Sequence, residues 1–560
     1  MKRKIFNNLI LGLLCVVFAL PTFSGCAKEK RDETKTWLNI YSYNGGIGIK
    51  WLEQAAERFE ELYADYSFEE GKLGIDIDVA NGKANTDAIS AMPQDIFFVE
   101  QLSYNDMIAQ ELLLDISDVI TSPLNEVRGC DEERTILDKL YDEHKKALPA
   151  LDGKYYLLPH YECYSGCAYD VDLFDKRSLF IREGTGETQF TNLKGKLSVG
   201  PDGIRGTYDD GLPSSYEEFF ALLDRMLLRD VEPFIYSGKF ATYINNIVTG
   251  LWTGYVGKDQ FMLNVEYDST ITGKEVKTDI VMGFDQNGQP NIENKSITPA
   301  TGYLMKQQAG RYYALSFLAE IMKDSRYFSS KISSAMSHLD TQTEYVYSSL
   351  QGKPIAMIIE GSYWYNEARS ALEASAKAYP GKGDNRNFAW MPLPRQLEGQ
   401  VSEGNGTKNT LLDTLSAYAM INAKVKNNPV KEEVSKLFLK FLYTDAELIN
   451  FTEETSVFKG VKYNTDESLF ANMSKYAQSI YKMRSSSDVV YPISDNKIFI
   501  TAQSEYSFFG TSDFLKSTVN NQVYSHPFSA YKSGISPQDY FKGMWTTEQT
   551  WTNRFSQYFN

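Results

Sequence analysis

An α/β protein of more than one domain is what this sequence predicts, on three observations. Short apolar runs alternate with segments of helical spacing between residues 37 and 99. Apolar strand-like runs return near residues 355, 388 and 415. The chain's 560 residues also exceed what one ordinary hydrophobic core holds, so two or three domains are expected.

The first residues read as an export signal. Lys2-Arg3-Lys4 precede the apolar run Leu9 to Leu20, which is too short to span a bilayer, and Pro21 and small residues follow. Phe23-Ser24-Gly25-Cys26 resembles a bacterial lipobox, with Phe where Leu is usual; an ordinary signal peptide with a chance cysteine is the alternative. The expectation is a signal over 1–25, a lipid on Cys26 that anchors the chain to the outer side of the cell membrane, and a polar tether over 26–36. No later segment has the roughly eighteen uninterrupted apolar residues of a membrane-spanning helix. Removing residues 1–25 takes three of the 57 basic residues and none of the 73 acidic ones, so the mature charge is 54 − 73 = −19. An acidic surface of that size argues against nucleic acid and against docking on anionic lipid headgroups. Cys130, Cys163 and Cys167 make no disulfide framework; free, partly buried thiols are the favoured reading, with a Cys163–Cys167 pair across the crossover as the alternative, and a chain with 4 histidines offers little for a histidine-rich zinc site.

Trp37 to Tyr43 is the first strand, closed by the turn Tyr43-Asn44-Gly45-Gly46. Leu52, Ala56, Phe59 and Tyr63 then repeat at helical spacing, Leu73 to Val79 alternates as a second strand, and Asp95 to Val99 is a buried third. Strand, helix, strand, helix, strand is an open sheet whose ligand loops lie at the carboxyl ends of the strands, here Tyr43 to Gly48 and Glu100 to Asp106. Asp152-Gly153 turns into a short strand ending at Pro159, a second runs from Gly166 to Tyr169, and Asp170 opens a helix. Ser215 with Glu218 three residues on is a helix cap, residues 259–300 read as an added β-rich excursion, and Ser536-Pro537 starts a closing helix.

Four stretches in this order resemble a known family. They are Asp152-Gly153-Lys154-Tyr155-Tyr156-Leu157-Leu158-Pro159 with Tyr169-Asp170 through Phe174, Pro213 to Phe219, Gly352 to Trp364, and Phe388 to Pro394. Together they are similar to family 1 extracellular solute-binding proteins, the carbohydrate receptors of ABC importers. The resemblance implies two lobes, each an open sheet flanked by helices, with a hinge and a ligand cleft between them. It places 37–160 with about 411–480 in one lobe and 161–410 with about 481–560 in the other. It also implies a monomeric receptor that closes on a carbohydrate, an oligosaccharide by preference, and delivers it to permease subunits. A peptide or other polar solute is the runner-up, and a secreted glycan-active enzyme comes after that.

Sugars bind through aromatic faces and planar polar groups. The candidate ligand residues are therefore Tyr43, Asn44, Glu100, Tyr104, Tyr161, Glu162, Trp252, Trp364 and Tyr365, each weighed against core packing, a cap or a solvated loop charge. Asp202, Asp209 and Asp210, in Pro201 to Gly211, are a candidate calcium loop weighed against a plain pair of turns; no other cofactor is expected. The composition includes no Gly-x-Ser-x-Gly, His-Glu-x-x-His or P-loop motif, so no catalytic residue is nominated.

Overall fold

The structure, a computed structural model, describes residues 31–43, 45–82, 86–100, 103–184, 186–270, 273–395, 408–465, 468, 471, 473–506 and 513–559. The predicted signal peptide, Cys26 and Asn44 lie outside them. Among the described residues no helix is long and apolar enough to cross a membrane.

Two mixed sheets organise the chain. The first has five strands in the order Ile75–Asn81, Thr36–Ser42, Ile96–Val99, Tyr418–Ile421, Leu157–Pro159. Its first three strands are parallel, with Ile40 opposite both Val79 and Ile96. Tyr418–Ile421 runs antiparallel between Ile96–Val99 and Leu157–Pro159. The burial follows the sequence pattern. Ile75 and Ile77 face the core while Asp76 and Asp78 do not, and the Ile96–Val99 run is buried on both faces. Helix Lys50–Leu62 covers this sheet with Trp51, Leu52, Ala55, Ala56 and Phe59, the apolar stripe its spacing predicts.

The second sheet has four strands in the order Phe388–Met391, Ser165–Asp170, Ile355–Gly361, Glu232–Ile235. Ile355–Gly361 is wholly buried, with apolar clusters on either side of it, one containing Ile359 and Phe234, the other Ile358 and Trp390. Asp170 caps helix Val171–Arg177 by accepting from the Leu173 amide, and it pairs with Arg386. Ser215 and Glu218 form the expected reciprocal cap. The excursion expected over 259–300 is β-rich only in part: residues 259–266 are helical, in the segment Asn245–Glu266 that breaks at Gly257, and the antiparallel hairpin Lys277–Phe284/Pro290–Ser296 follows. The Ser536-capped helix Pro537–Lys542 is succeeded by another, Glu548–Phe555. Two lobes result, one around each sheet.

The chain passes between the sheets at 160–164, at 413–417 and after 456, and these passages lie side by side. The His160 amide donates to Ala417 O at 2.8 Å, Glu162 to Phe458 O at 2.9 Å, and Thr414 to Cys163 O at 2.8 Å. Cys163 and Cys167 are free and wholly buried here.

Candidate ligand cleft

The carboxyl ends of strands from the two sheets face each other. From the first lobe, Thr36–Ser42 delivers Tyr43, Ile96–Val99 delivers Glu100, and Leu157–Pro159 leads to Tyr161. From the second, Ile355–Gly361 ends in Glu360 and leads to Tyr363, Asn366 and Glu367, while Glu232–Ile235 leads to Tyr243. The Tyr161 hydroxyl donates to the Glu100 carboxylate. Burial, then the Glu100 and Glu367 carboxylates, push the Tyr43 phenol up to about 12, so this ring sits between glutamates of opposite lobes.

The lobes are shut. A methyl group at Gly46 would stand 1.8 Å from the Tyr363 ring, so the first-lobe turn lies flat on a second-lobe tyrosine. Asn366 Nδ2 donates to Gly46 O at 3.0 Å, and Arg369 holds both Asn366 Oδ1 at 2.7 Å and the Glu454 carboxylate of the first lobe. On another side Lys146 reaches Glu266 at 3.1 Å, Lys258 pairs with Glu143, and Gln503 Oε1 accepts from the Asn105 backbone and side-chain nitrogens at 3.1 and 3.0 Å. Gly46→Ala is therefore expected to hold the lobes apart, weakening any ligand that requires closure about tenfold or more by depleting the competent form. Titration calorimetry of the variant checks the affinity, and an unchanged melting temperature of the free protein separates this from misfolding.

At the second-lobe side, Glu360 is 1% exposed and its Oε2 accepts from the Gly361 amide at 3.2 Å. Burial, and then the Glu367 carboxylate, push it well above the ordinary glutamate value. Glu367 is also raised by burial, opposed by His338 and by Gln342, whose Nε2 donates to it.

The remaining predicted residues take different places. Glu162 lies between the chain passages that join the lobes, apart from the cleft: Arg484 grips it at 2.6 and 2.8 Å, and Tyr491 at 2.6 Å and Tyr164 donate hydroxyls to it. Burial alone would raise its carboxyl, but the Arg484 charge and these hydrogen bonds hold it below the usual range. Tyr104 packs edge-on against Tyr418, and Tyr365 stacks on Tyr476 at 5.2 Å. Trp252 and Trp364 are corrected to core positions. Trp252 stacks on Phe514 at 5.3 Å with the Arg311 guanidinium over it and donates to Gln308 at 2.8 Å. Trp364 is enclosed by Tyr345, Phe388 and Tyr476. Neither indole presents a free face to a sugar, because Phe514 and Arg311 cover Trp252 and a ring of aromatic side chains encloses Trp364.

The Asp202 loop closes on itself. Asp209, buried, accepts from the Asp202 amide at 2.9 Å and from Thr207 Oγ1 at 2.8 Å; Asp202 accepts from Ile204, and Asp210 from Gly206. Burial, with Asp202 beside it, raises the Asp209 carboxyl to about 7. Among the described residues no group of three or more His, Cys, Asp or Glu side chains is placed to hold a metal ion, and these carboxylates accept from the loop's own amides and hydroxyl, as in a pair of turns.

Sequence reasoning missed Tyr243, Glu360, Tyr363 and Glu367. A signal for Glu360 was present: a lone carboxylate ending the otherwise apolar run Ile355 to Ile359, next to a glycine.

No family model matches this chain, and no curated protein matches it by sequence. A solved structure described as "Chitin oligosaccharide binding protein" is similar to it with a TM-score of 0.53, over 93% of this chain and 99% of that chain, at 14% identity. At that identity the likeness is one of fold: this is a two-lobed α/β binding-protein fold, with helix-flanked sheets on either side of a hinge.

Proposed function

We propose that the protein is a carbohydrate receptor that closes its lobes on an oligosaccharide and delivers it to an ABC permease. In this reading Cys26 carries the lipid that keeps it at the outer side of the cell membrane, it acts as a monomer, and it performs no covalent chemistry. The observation that carries the proposal is the apposition of Tyr43 and Tyr161 from one lobe with Tyr243 and Tyr363 from the other, around buried carboxylates at facing strand ends. Tyrosine faces stack on pyranose rings and carboxylates accept from hydroxyls, so an arrangement split between lobes senses a sugar by closing on it. The oligosaccharide-binding neighbour supports the same ligand class.

A thermal-shift screen against mono- and oligosaccharides, with peptides as the comparison set, tests the reading. A sugar that binds only the folded state stabilises it by about 2.7 kcal/mol at a hundredfold excess over Kd. The sugar is expected back intact from the complex. A response to peptides alone, or conversion of the sugar to product, overturns the proposal.

A further inference from the structure

We propose that the cleft selects a glycan carrying a free primary amine, an amino sugar in its cationic form, through Glu360, Glu367 and the amide of Gln342. This deepens the receptor reading and rests on it.

The argument is one of unmatched hydrogen-bonding capacity. Two carboxylates bring four oxygens, each able to accept more than one hydrogen bond. The protein donors that meet them are the Gln342 side-chain amide, shared between Glu367 and Glu360, and the Gly361 amide on Glu360, with His338 Nε2 more distant, 3.7 Å from Glu367. Gln342 is 1% exposed, and its Oε1 is buried with no hydrogen-bond partner. The local group is thus rich in acceptors and poor in donors, inside a protein where a buried polar atom left unpaired costs about 1–3 kcal/mol. An ammonium offers three N–H donors and a full positive charge. A sugar hydroxyl offers one donor and no charge.

Electrostatics points the same way. Burial raises both carboxyls, and the Glu367 charge raises Glu360 further, so a cation bound beside them would favour the ionised forms of both. The groups that face the pair are Tyr43, Tyr243, Tyr363, His338 and Gln342. Arg369, a nearby guanidinium, spends its hydrogen bonds on Glu454 and Asn366. The tyrosine rings around the pair add π faces that attract a cation. A uronic acid or phosphorylated sugar would instead bring like charge into a low-dielectric site, at a cost of several kcal/mol.

The test compares a glucosamine tetramer, its fully N-acetylated counterpart, a galacturonic acid tetramer and spermidine on the full chain by titration calorimetry. The amine-bearing tetramer is expected to bind about tenfold or more tightly than the acetylated one, a factor of ten being about 1.4 kcal/mol. The uronate tetramer is expected to give no heat of binding. In Glu367→Gln, and in Glu360→Gln/Glu367→Gln, the ratio between the first two ligands is expected to fall toward one. The single variant, at the partly exposed position, keeps the test available if the double variant fails to fold. Equal affinities of the two tetramers for the natural protein overturn the inference while leaving the sugar reading intact. Binding of spermidine and of no glycan sustains cation recognition and overturns the sugar reading. A preference that survives in the Gln variants overturns the assignment to these carboxylates.

Discussion

Arg484→Leu is expected to destabilise the protein by about 3–5 kcal/mol, read as a lower denaturation midpoint in urea. The reason is the company Glu162 keeps. Its carboxylate is buried between the chain passages of the hinge, and Arg484, from helix Lys475–Ser486, is the cation that compensates it. Tyr164 and Tyr491 would still donate to it, but neutral hydroxyls do not replace a guanidinium in a low-dielectric site. Removing both partners is a milder change than removing one. Glu162→Leu/Arg484→Leu is therefore expected to recover most of the loss, because no uncompensated charge remains. A double variant as unstable as Arg484→Leu would mean that packing, not charge, sets the effect. The hinge also contains Asp413, which accepts from the Cys163 amide at 3.1 Å and is raised to about 8 by burial, with Glu162 adding like charge.

The second large effect is a slope of stability with pH. Lys459 is buried in the first lobe inside Phe451, Trp51 and Tyr443, with its Nζ 4.3, 4.8 and 5.3 Å from their ring centres and 2.8 Å from His160 Nδ1. Burial holds the Lys459 amine well below its ordinary value; Glu447 opposes this, but its carboxylate is bound to Arg58 at 2.6 Å. Burial, and then Lys459, lower His160 as well. A base whose folded value is depressed binds fewer protons in the fold than in the unfolded chain, so its contribution to stability rises with pH. For Lys459 this holds from its depressed folded value up toward 10.5, and each unit in that window is worth about 1.4 kcal/mol. The measurement belongs between pH 7 and about 8 and is read as the difference between the natural protein and Lys459→Met, because the buried carboxyls Asp413 and Glu360 and the buried thiols, raised in the fold, act in the opposite sense in both proteins. Lys459→Met is expected to show a less positive slope than the natural protein and to be more stable than it at pH 7. Equal slopes of the urea midpoint in the two proteins would show that Lys459 stays charged in the fold.

The elements most legible in the sequence were those whose pattern is local. Helix Lys50–Leu62 announces itself by its apolar stripe, the Ser215 cap by its glutamate three residues on, and the Ile355 strand by an unbroken apolar run. Strand ends moved by up to about three residues, because pairing partners and not composition decide where a ladder stops. At the site, the loops after Ser42 and Val99 could be nominated because carboxyl ends of parallel strands gather ligands. The tryptophans could not be sorted the same way. A large aromatic beside glycines reads alike whether it meets a ligand or a neighbour such as Phe514 or Tyr345, and only packing across distant segments tells them apart. Gln342 carried no local mark at all, since its importance lies in what stands 25 residues away at Glu367.

The position of Tyr418–Ile421 between Ile96–Val99 and Leu157–Pro159 has a consequence for biosynthesis. A chain emerging from its N-terminus holds every strand of the second sheet once residue 391 is made, whereas the first sheet lacks an interior strand until residue 421 appears. The sheet begun first is thus the sheet completed last. Until then Ile96–Val99 offers an open apolar edge of the kind that recruits wrong partners, and holding it apart is work for a chaperone.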